Sequence, residues 1–246
     1  SLLAVYQPAF VCAPGDLPPE TGQALKDYRP HLTLEDAQLL HRPGTEGPEL
    51  HPELALLLTT SGSTGSPKLV RISASNLESN TKSIVEYLGL TEAERPVTTL
   101  TMSYSYGMSI LNTHLLAGAA IILTSRSVLE RPFWELMARE QVTSLAGVPY
   151  TYRMFQRIGL QSMDLPALRT LTQAGGKLPV PLHREFARWA ERPRRRFYVM
   201  YGQTEASPRM GYLPPEEAIR KCGSMGIPVP GGQFRLTQED GSEIQA

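Results

Sequence analysis

Residues 54–68 read LALLLTTSGSTGSPK, an apolar run followed by ten positions, 59–68, that hold six hydroxyl side chains, two glycines, one proline and one lysine. The run Leu54 to Leu58 predicts a buried strand, and in a parallel sheet ligands gather at the carboxyl ends of the strands. Gly62 and Gly65 let the backbone turn tightly and bring its N–H groups close to an anion. Hydroxyls at 59, 60, 61, 63, 64 and 66 add donors and Lys68 adds a positive charge, a combination that suits phosphate. A flexible Ser/Gly linker is the competing reading, but such a linker does not ordinarily start directly after a buried strand and end in Pro-Lys-Leu-Val. The loop fits neither G-x-x-x-x-G-K-[ST], because Ser66 and Pro67 stand between Gly65 and Lys68, nor G-x-G-x-x-G.

Outward from this loop the pattern is regular. Ser75 followed by Glu78 gives a capping-box signature, and Leu77, Ile84, Val85 and Leu88 share one helical face that Gly89 ends. Beyond it VTTLTM reads as strand, MSILNTHLLAG as helix, AAIIL as strand, FWELMARE as helix and VTSLAG as strand. YTYRMFQRI then reads as helix, LRTLTQAG as strand, LHREFARWAE as helix and RFYVMYG as strand. Short apolar strands alternating with amphipathic helices predict an α/β fold of mainly parallel sheets covered by helices. Upstream, residues 13–53 are rich in proline and read as irregular connection, while SLLAVYQPAFVCAPG reads as a buried strand because it lacks the basic flank of a signal peptide.

Composition limits the function classes. The 246 residues are 41% hydrophobic and 20% charged, with 24 Lys plus Arg against 24 Asp plus Glu. A balanced chain has no global field to recruit nucleic acid or an anionic membrane, so any phosphate site is local. The basic run Arg192 to Arg196 reads as a solvated helix end. Cys12 and Cys222 are too few for a disulfide framework, which points to a reducing compartment and a cytoplasmic location. No apolar stretch approaches the roughly 20 residues of a membrane helix.

Three further strand ends carry candidate chemistry. YGQTEAS, 201–207, sets the hydroxyl of Thr204 beside the acid Glu205, a pairing that suits a phosphate next to Mg²⁺. QAGGKLP, 173–179, offers bare backbone for a flat ring at Gly175 and Gly176, and MSYSYGM, 102–108, offers Tyr104 and Tyr106 either as pocket walls or as core.

Together these stretches resemble the adenylate-forming superfamily: acyl-CoA synthetases, aryl-acid ligases, luciferases and the adenylation domains of nonribosomal peptide synthetases. TTSGSTGSPK is similar to the family's phosphate loop, YGQTEAS to its Tyr-Gly-x-Thr-Glu signature, and GSMGIPVPG at 223–231 is also family-like. The resemblance implies that Thr60, Ser61, Gly62, Ser63, Thr64, Gly65 and Lys68 hold the ATP phosphates. Gly175, Gly176, Tyr201 and Gly202 would frame the adenine, Thr204 would meet the α-phosphate and Glu205 the Mg²⁺. Tyr104, Tyr106, Gly107, Gly147, Val148 and Met200 would approach a small-molecule carboxylic acid, with Thr64, Lys68 and Glu205 in catalytic roles. It also implies transfer of the acyl group to a thiol, that of CoA or of the phosphopantetheine on an acyl carrier protein. The family's ribose-binding Asp and mobile lysine-bearing domain would follow Ala246, so residues 1–246 read as part of the large N-terminal domain, with the small C-terminal domain absent. A catalytically inactive nucleotide-binding or scaffolding relative is the alternative. The pocket candidates favour an apolar or aromatic acid over an amino acid, since no Asp stands near them to pair an α-amino group.

Overall fold

The computed structural model describes residues 7–33, 35–44, 49–59, 69–191 and 195–244, in two units, 1–52 and 53–246. In the first unit β1 (Phe10–Pro14), β2 (Arg29–Thr33) and β3 (Ala37–His41) form an antiparallel sheet ordered β1–β3–β2, accompanied by a short helix, α1 (Pro19–Ala24). This corrects the irregular connection expected for 13–53. The prolines sit where a strand tolerates a missing N–H: Pro14 ends β1, and Pro30 adjoins a register shift in β2. The opening strand is also less buried than expected, since Phe10 is exposed and Ala13 is the buried residue of β1. Residues 1–6 lie outside the described residues.

The second unit is built on β6 (Ser144–Gly147), β7 (Thr170–Gln173), β8 (Arg196–Tyr201), β9 (Gly211–Leu213) and β10 (Ile227–Pro228), ordered β10–β9–β8–β7–β6. β6, β7 and β8 run parallel, whereas β9 and β10 return antiparallel. The sheet is mixed, which corrects the mainly parallel expectation and leaves the α/β class intact. Connection length decides the direction: helices α5 (Pro149–Arg157) and α6 (Val180–Glu191) cross over between parallel strands, while the nine residues 202–210 between β8 and β9 are too few for a crossover.

Helices cover both faces, as expected. Along β8 the side chains alternate: Phe197 and Val199 join the apolar cluster under α4 (Arg131–Arg139), α5 and α6, while Tyr198 and Met200 join the one under α2 (Ala74–Leu88) and α3 (Ser105–Leu116). Leu145 and Ala146 of β6 divide the same way. Two expected strands, VTTLTM and AAIIL, form no strand among the described residues and meet in a single isolated bridge, Val97 to Ile122, while Pro96 just before them bridges to Ser144.

Helix α2 begins two residues earlier than expected. Ser73 Oγ accepts from Asn76 N–H at 3.1 Å and Asn76 Oδ1 accepts from Ser73 N–H at 3.4 Å, so the capping box is Ser73/Asn76 and Glu78 pairs with Lys82 instead. Gly89 ends the helix in the left-handed region, φ 60°. At the other end of the sheet, Glu94 is 3% exposed at its side chain and fastens three strands at once. It accepts from Thr143 Oγ1 at 2.6 Å and from Arg169 at 3.0 Å, and lies 3.8 Å from Arg196. These partners stand at the amino ends of β6, β7 and β8.

Candidate active site

Flanking the glycine-hydroxyl loop are β4 (Leu54–Thr59) and β5 (Leu69–Ser73), an antiparallel pair in which Thr59 opposes Leu69. The loop thus joins hairpin partners rather than leaving a parallel strand, and of β4 only Leu58 is buried. The nine residues between the strands are too short for a crossover, which the apolar run alone did not reveal. Thr60, Ser61, Gly62, Ser63, Thr64, Gly65 and Lys68 lie outside the described residues. The strand that leaves the loop, β5, lies against the 3₁₀ turn Thr204–Ala206 of the YGQTEAS motif.

β7 and β8 end side by side, with Gln173 opposite Val199. Past their carboxyl ends opens a cleft of about 400 Å³ lined by Gly175, Gly176, Lys177, Met200, Tyr201 and Gly202 among others. Fully buried Gln173 shapes the near wall: its Nε2 donates to Ala174 O at 3.1 Å and to Gly176 O at 2.8 Å. Gly175 has φ +77°, and a Cβ there would run into the Tyr104 hydroxyl and come within 3.0 Å of Val148 Cγ1. Tyr104, Val148 and Gly175, drawn from three loops, therefore converge. Across the cleft, His183 accepts a hydrogen bond at Nδ1 from Gly223 N–H at 3.2 Å, and burial lowers its pKa.

After β8 the chain folds tightly on itself. A Cβ on Gly202 would overlap the Pro208 carbonyl, and Met210 N–H donates to Tyr201 O at 2.9 Å. Thr204 Oγ1 lies 3.1 Å from Ser105 Oγ at the start of α3. Glu205 is exposed and makes no hydrogen bond or ion pair among the described residues. No group of three or more His, Cys, Asp or Glu able to hold a metal occurs among them. A Mg²⁺ at Glu205 would complete its shell with phosphate oxygens and water, which is how that ion is ordinarily held.

Tyr106, Gly107 and Gly147 support the site from behind. Tyr106, 2% exposed, donates to Thr172 Oγ1 at 2.8 Å and carries the Arg209 guanidinium 4.1 Å from its ring centre. Burial pushes its phenol up to about 12. Gly107 packs on the Thr101 carbonyl, and a Cβ on Gly147 would meet Thr151 at 3.0 Å. Tyr106 and Met200 also line a second, smaller cavity of about 30 Å³ on the α2/α3 face of the sheet.

Three residues the sequence reading passed over organise these walls: Gln173, Asn80 and Arg209. Asn80 Nδ2 donates to Arg209 O at 2.7 Å, and Asn80 Oδ1 accepts from Arg209 N–H at 3.2 Å. Asn80 shares the inner face of α2 with Ile84 and Leu88. Its register with them was the available signal, but a search for apolar periodicity skips an amide.

Against known proteins, the family model described as AMP-binding enzyme matches residues 14–246. An indoleacetate–CoA ligase of Aromatoleum aromaticum is 31% identical over 225 residues, which cover 89% of this chain and 43% of that protein. A 2-succinylbenzoate–CoA ligase of Bacillus licheniformis is 30% identical over 217 residues, 87% of this chain and 44% of that one. The solved structure of O-succinylbenzoate coenzyme A synthetase from Bacillus subtilis, in complex with ATP and magnesium ion, matches with a TM-score of 0.66 at 25% identity, covering 77% of this chain and 38% of that one. The chain therefore spans less than half the length of these relatives.

Proposed function

The chain belongs to the AMP-binding enzyme family, and from that premise we propose that it serves the ATP-dependent activation of a carboxylic acid, with residues 1–246 forming part of the large, nucleotide-binding domain. The observation that carries this reading is the cleft at the ends of β7 and β8, where Gly175 and Gly176 of one motif meet Tyr201 and Gly202 of another. A flat adenine would lie on the bare backbone at Gly175 and Gly176 beside Tyr201. Thr204 would meet the α-phosphate, and the loop 60–68, with Thr64 and Lys68, the phosphates beyond it. Tyr104, Val148 and Met200 would face the acid.

In the first step a carboxylate oxygen attacks the α-phosphorus, the bond to the bridging oxygen breaks, and pyrophosphate leaves with the electron pair. No protein nucleophile is needed; the protein positions two anions and offsets their repulsion. Mg²⁺, held through Glu205, would neutralise phosphate charge. A thiol, that of CoA or of a carrier protein's phosphopantetheine, would then attack the acyl carbon and release AMP.

Two substitutions test this reading. Lys68→Ala should weaken ATP binding by about 10- to 100-fold, the range for a lost charged hydrogen bond, and lower acid-dependent ATP–pyrophosphate exchange in proportion. Exchange and affinity unchanged from the parent would remove the loop from the site. Glu205→Gln keeps the size and removes the charge, so the Mg²⁺ titration of nucleotide binding should move to higher metal concentration; a superimposable titration would return Glu205 to the role of a solvated loop acid.

A further inference from the structure

We propose that His183 is a positioning residue for the nucleotide: its neutral ring holds the loop 223–226 as a wall of the cleft, and acid pH releases that wall. The proposal rests on the activation reading above and adds to it one residue and one proton.

His183 stands on α6 and is fully buried. Its Nδ1 accepts from Gly223 N–H at 3.2 Å, and no other acceptor among the described residues meets that N–H. Gly223, Ser224 and Met225 line the same cleft as Gly175 and Gly176. Met225 is 43% exposed, which leaves apolar area that a purine in the cleft can cover. The two ends of the loop are held differently. At the downstream end a Cβ on Gly226 would overlap the Tyr212 carbonyl, so backbone packs directly on backbone of β9. At the upstream end the loop touches α6 through the tip of the Val180 side chain, 3.2 Å from where a Gly223 Cβ would stand, and through Cys222 Sγ, 3.5 Å from Val180 O. A thiol is a weak donor. The imidazole is therefore the one strong hydrogen bond that ties this end to the helix.

That bond depends on protonation. Because Nδ1 accepts, the Gly223 donor assigns the tautomer: the neutral ring carries its proton on Nε2, on the side of the Ala218 carbonyl. A second proton would go to Nδ1 and set donor against donor. Around the ring stand Arg184 on α6, the Glu217–Arg220 ion pair with Lys221 and Cys222 on the segment entering the loop, Lys177 on the facing turn, and the uncharged ring of Phe197 on β8, edge-on at 5.7 Å. No carboxylate among the described residues pairs with His183, since Glu217 is engaged by Arg220. Burial lowers its pKa and Arg184 adds to that, with the Ala218 carbonyl opposing. The ring is thus a neutral acceptor at pH 7, and the anchor is lost as pH falls through and below the usual imidazole range.

The test is calorimetric ATP titration of the unmutated chain, His183→Asn and His183→Phe at steps between about pH 5 and 8, where an imidazole changes charge. Asn sets an oxygen acceptor near the Nδ1 position and does not titrate; Phe keeps the ring and removes the acceptor. At the upper end His183→Phe should bind ATP about 2- to 10-fold more weakly than the parent, the range of one net hydrogen bond, while His183→Asn should stay within about 2-fold. On acidification the parent should lose the same factor relative to His183→Asn, and the Asn-to-Phe ratio should stay constant. Ratios cancel the titration of ATP itself and of every side chain the proteins share. A parent-to-Asn ratio that does not change with pH, or parental affinity in His183→Phe, overturns this proposal and leaves the activation reading standing. Absence of ATP binding by the parent at every pH overturns that reading and this proposal with it. Should neither variant fold, the amide signal of Gly223 in the unmutated, glycine-labelled chain decides: it should shift over the pH range in which ATP affinity falls, and a signal that stays in place overturns the proposal.

Discussion

Gly202→Ala should abolish measurable ATP binding and lower the melting temperature by roughly 6 to 12 °C. A Cβ at that position would overlap the Pro208 carbonyl and lie 3.0 Å from Arg209 Cα, both backbone atoms. A clash with the tip of a flexible side chain relaxes by a rotamer change, but here the segment 207–209 would have to move as a whole. That segment is held by Asn80 on both sides of Arg209 and by the bond from Met210 N–H to Tyr201 O. Overpacking of this kind costs about 3 kcal/mol or more, and 1 kcal/mol corresponds to roughly 2 to 4 °C in a domain of this size. Binding is lost because Tyr201, Thr204 and Glu205 share the displaced turn. Thermal melting and calorimetry on the same sample read both effects, and a variant with parental melting temperature and ATP affinity would show that the tight return at 202–208 is dispensable.

The largest purely structural effect is expected of Phe186→Ala, at about 3 to 5 kcal/mol, or roughly 6 to 20 °C in melting temperature. Phe186 is fully buried on α6, edge-on to Tyr152 at 4.9 Å and near Trp189 and Phe197. Those neighbours come from α5, α6 and β8, so the cavity left by the ring is walled by three elements that cannot all close on it. Because Phe186 lies on the α4/α5/α6 face, the ATP affinity of the folded protein should stay close to parental. Guanidinium unfolding monitored by tryptophan fluorescence reads the loss. A destabilisation below about 1 kcal/mol would mean that the cluster repacks freely.

Much of this fold was legible in the sequence, and the misses share one cause. α2, α4, α5 and α6 and the strands β6, β7 and β8 follow from local patterns of apolar residues, and Gly89 marks the end of α2 through its left-handed φ of 60°. Strand direction is not local. LALLL looks alike whether it enters a parallel sheet or a hairpin, and only its partner β5 makes it antiparallel. Of the candidate site residues, the hydroxyl-rich loop and the Thr-Glu pair stood out in the sequence because hydroxyls, glycines, a lysine and an acid are residue types suited to phosphate and Mg²⁺. Gly175 was recognisable as a glycine needing room, but the Tyr104 hydroxyl that claims that room comes from a segment distant in sequence. Arg209 and Asn80 were missed because a polar residue gives no sign in its own neighbourhood that the fold will bury it.

Glu94 gives the sheet two rims of opposite character. At the amino rim, Thr143, Arg169 and Arg196 are drawn to one carboxylate and the strand starts are locked together. At the carboxyl rim, β7 and β8 run out into glycine-bearing turns that line the cleft. Tolerance to change is therefore distributed lengthwise along the same strands. Loops at the open rim can be exchanged without disturbing the bolt at the closed one, and the closed rim can be strengthened for thermostability without reshaping the cleft.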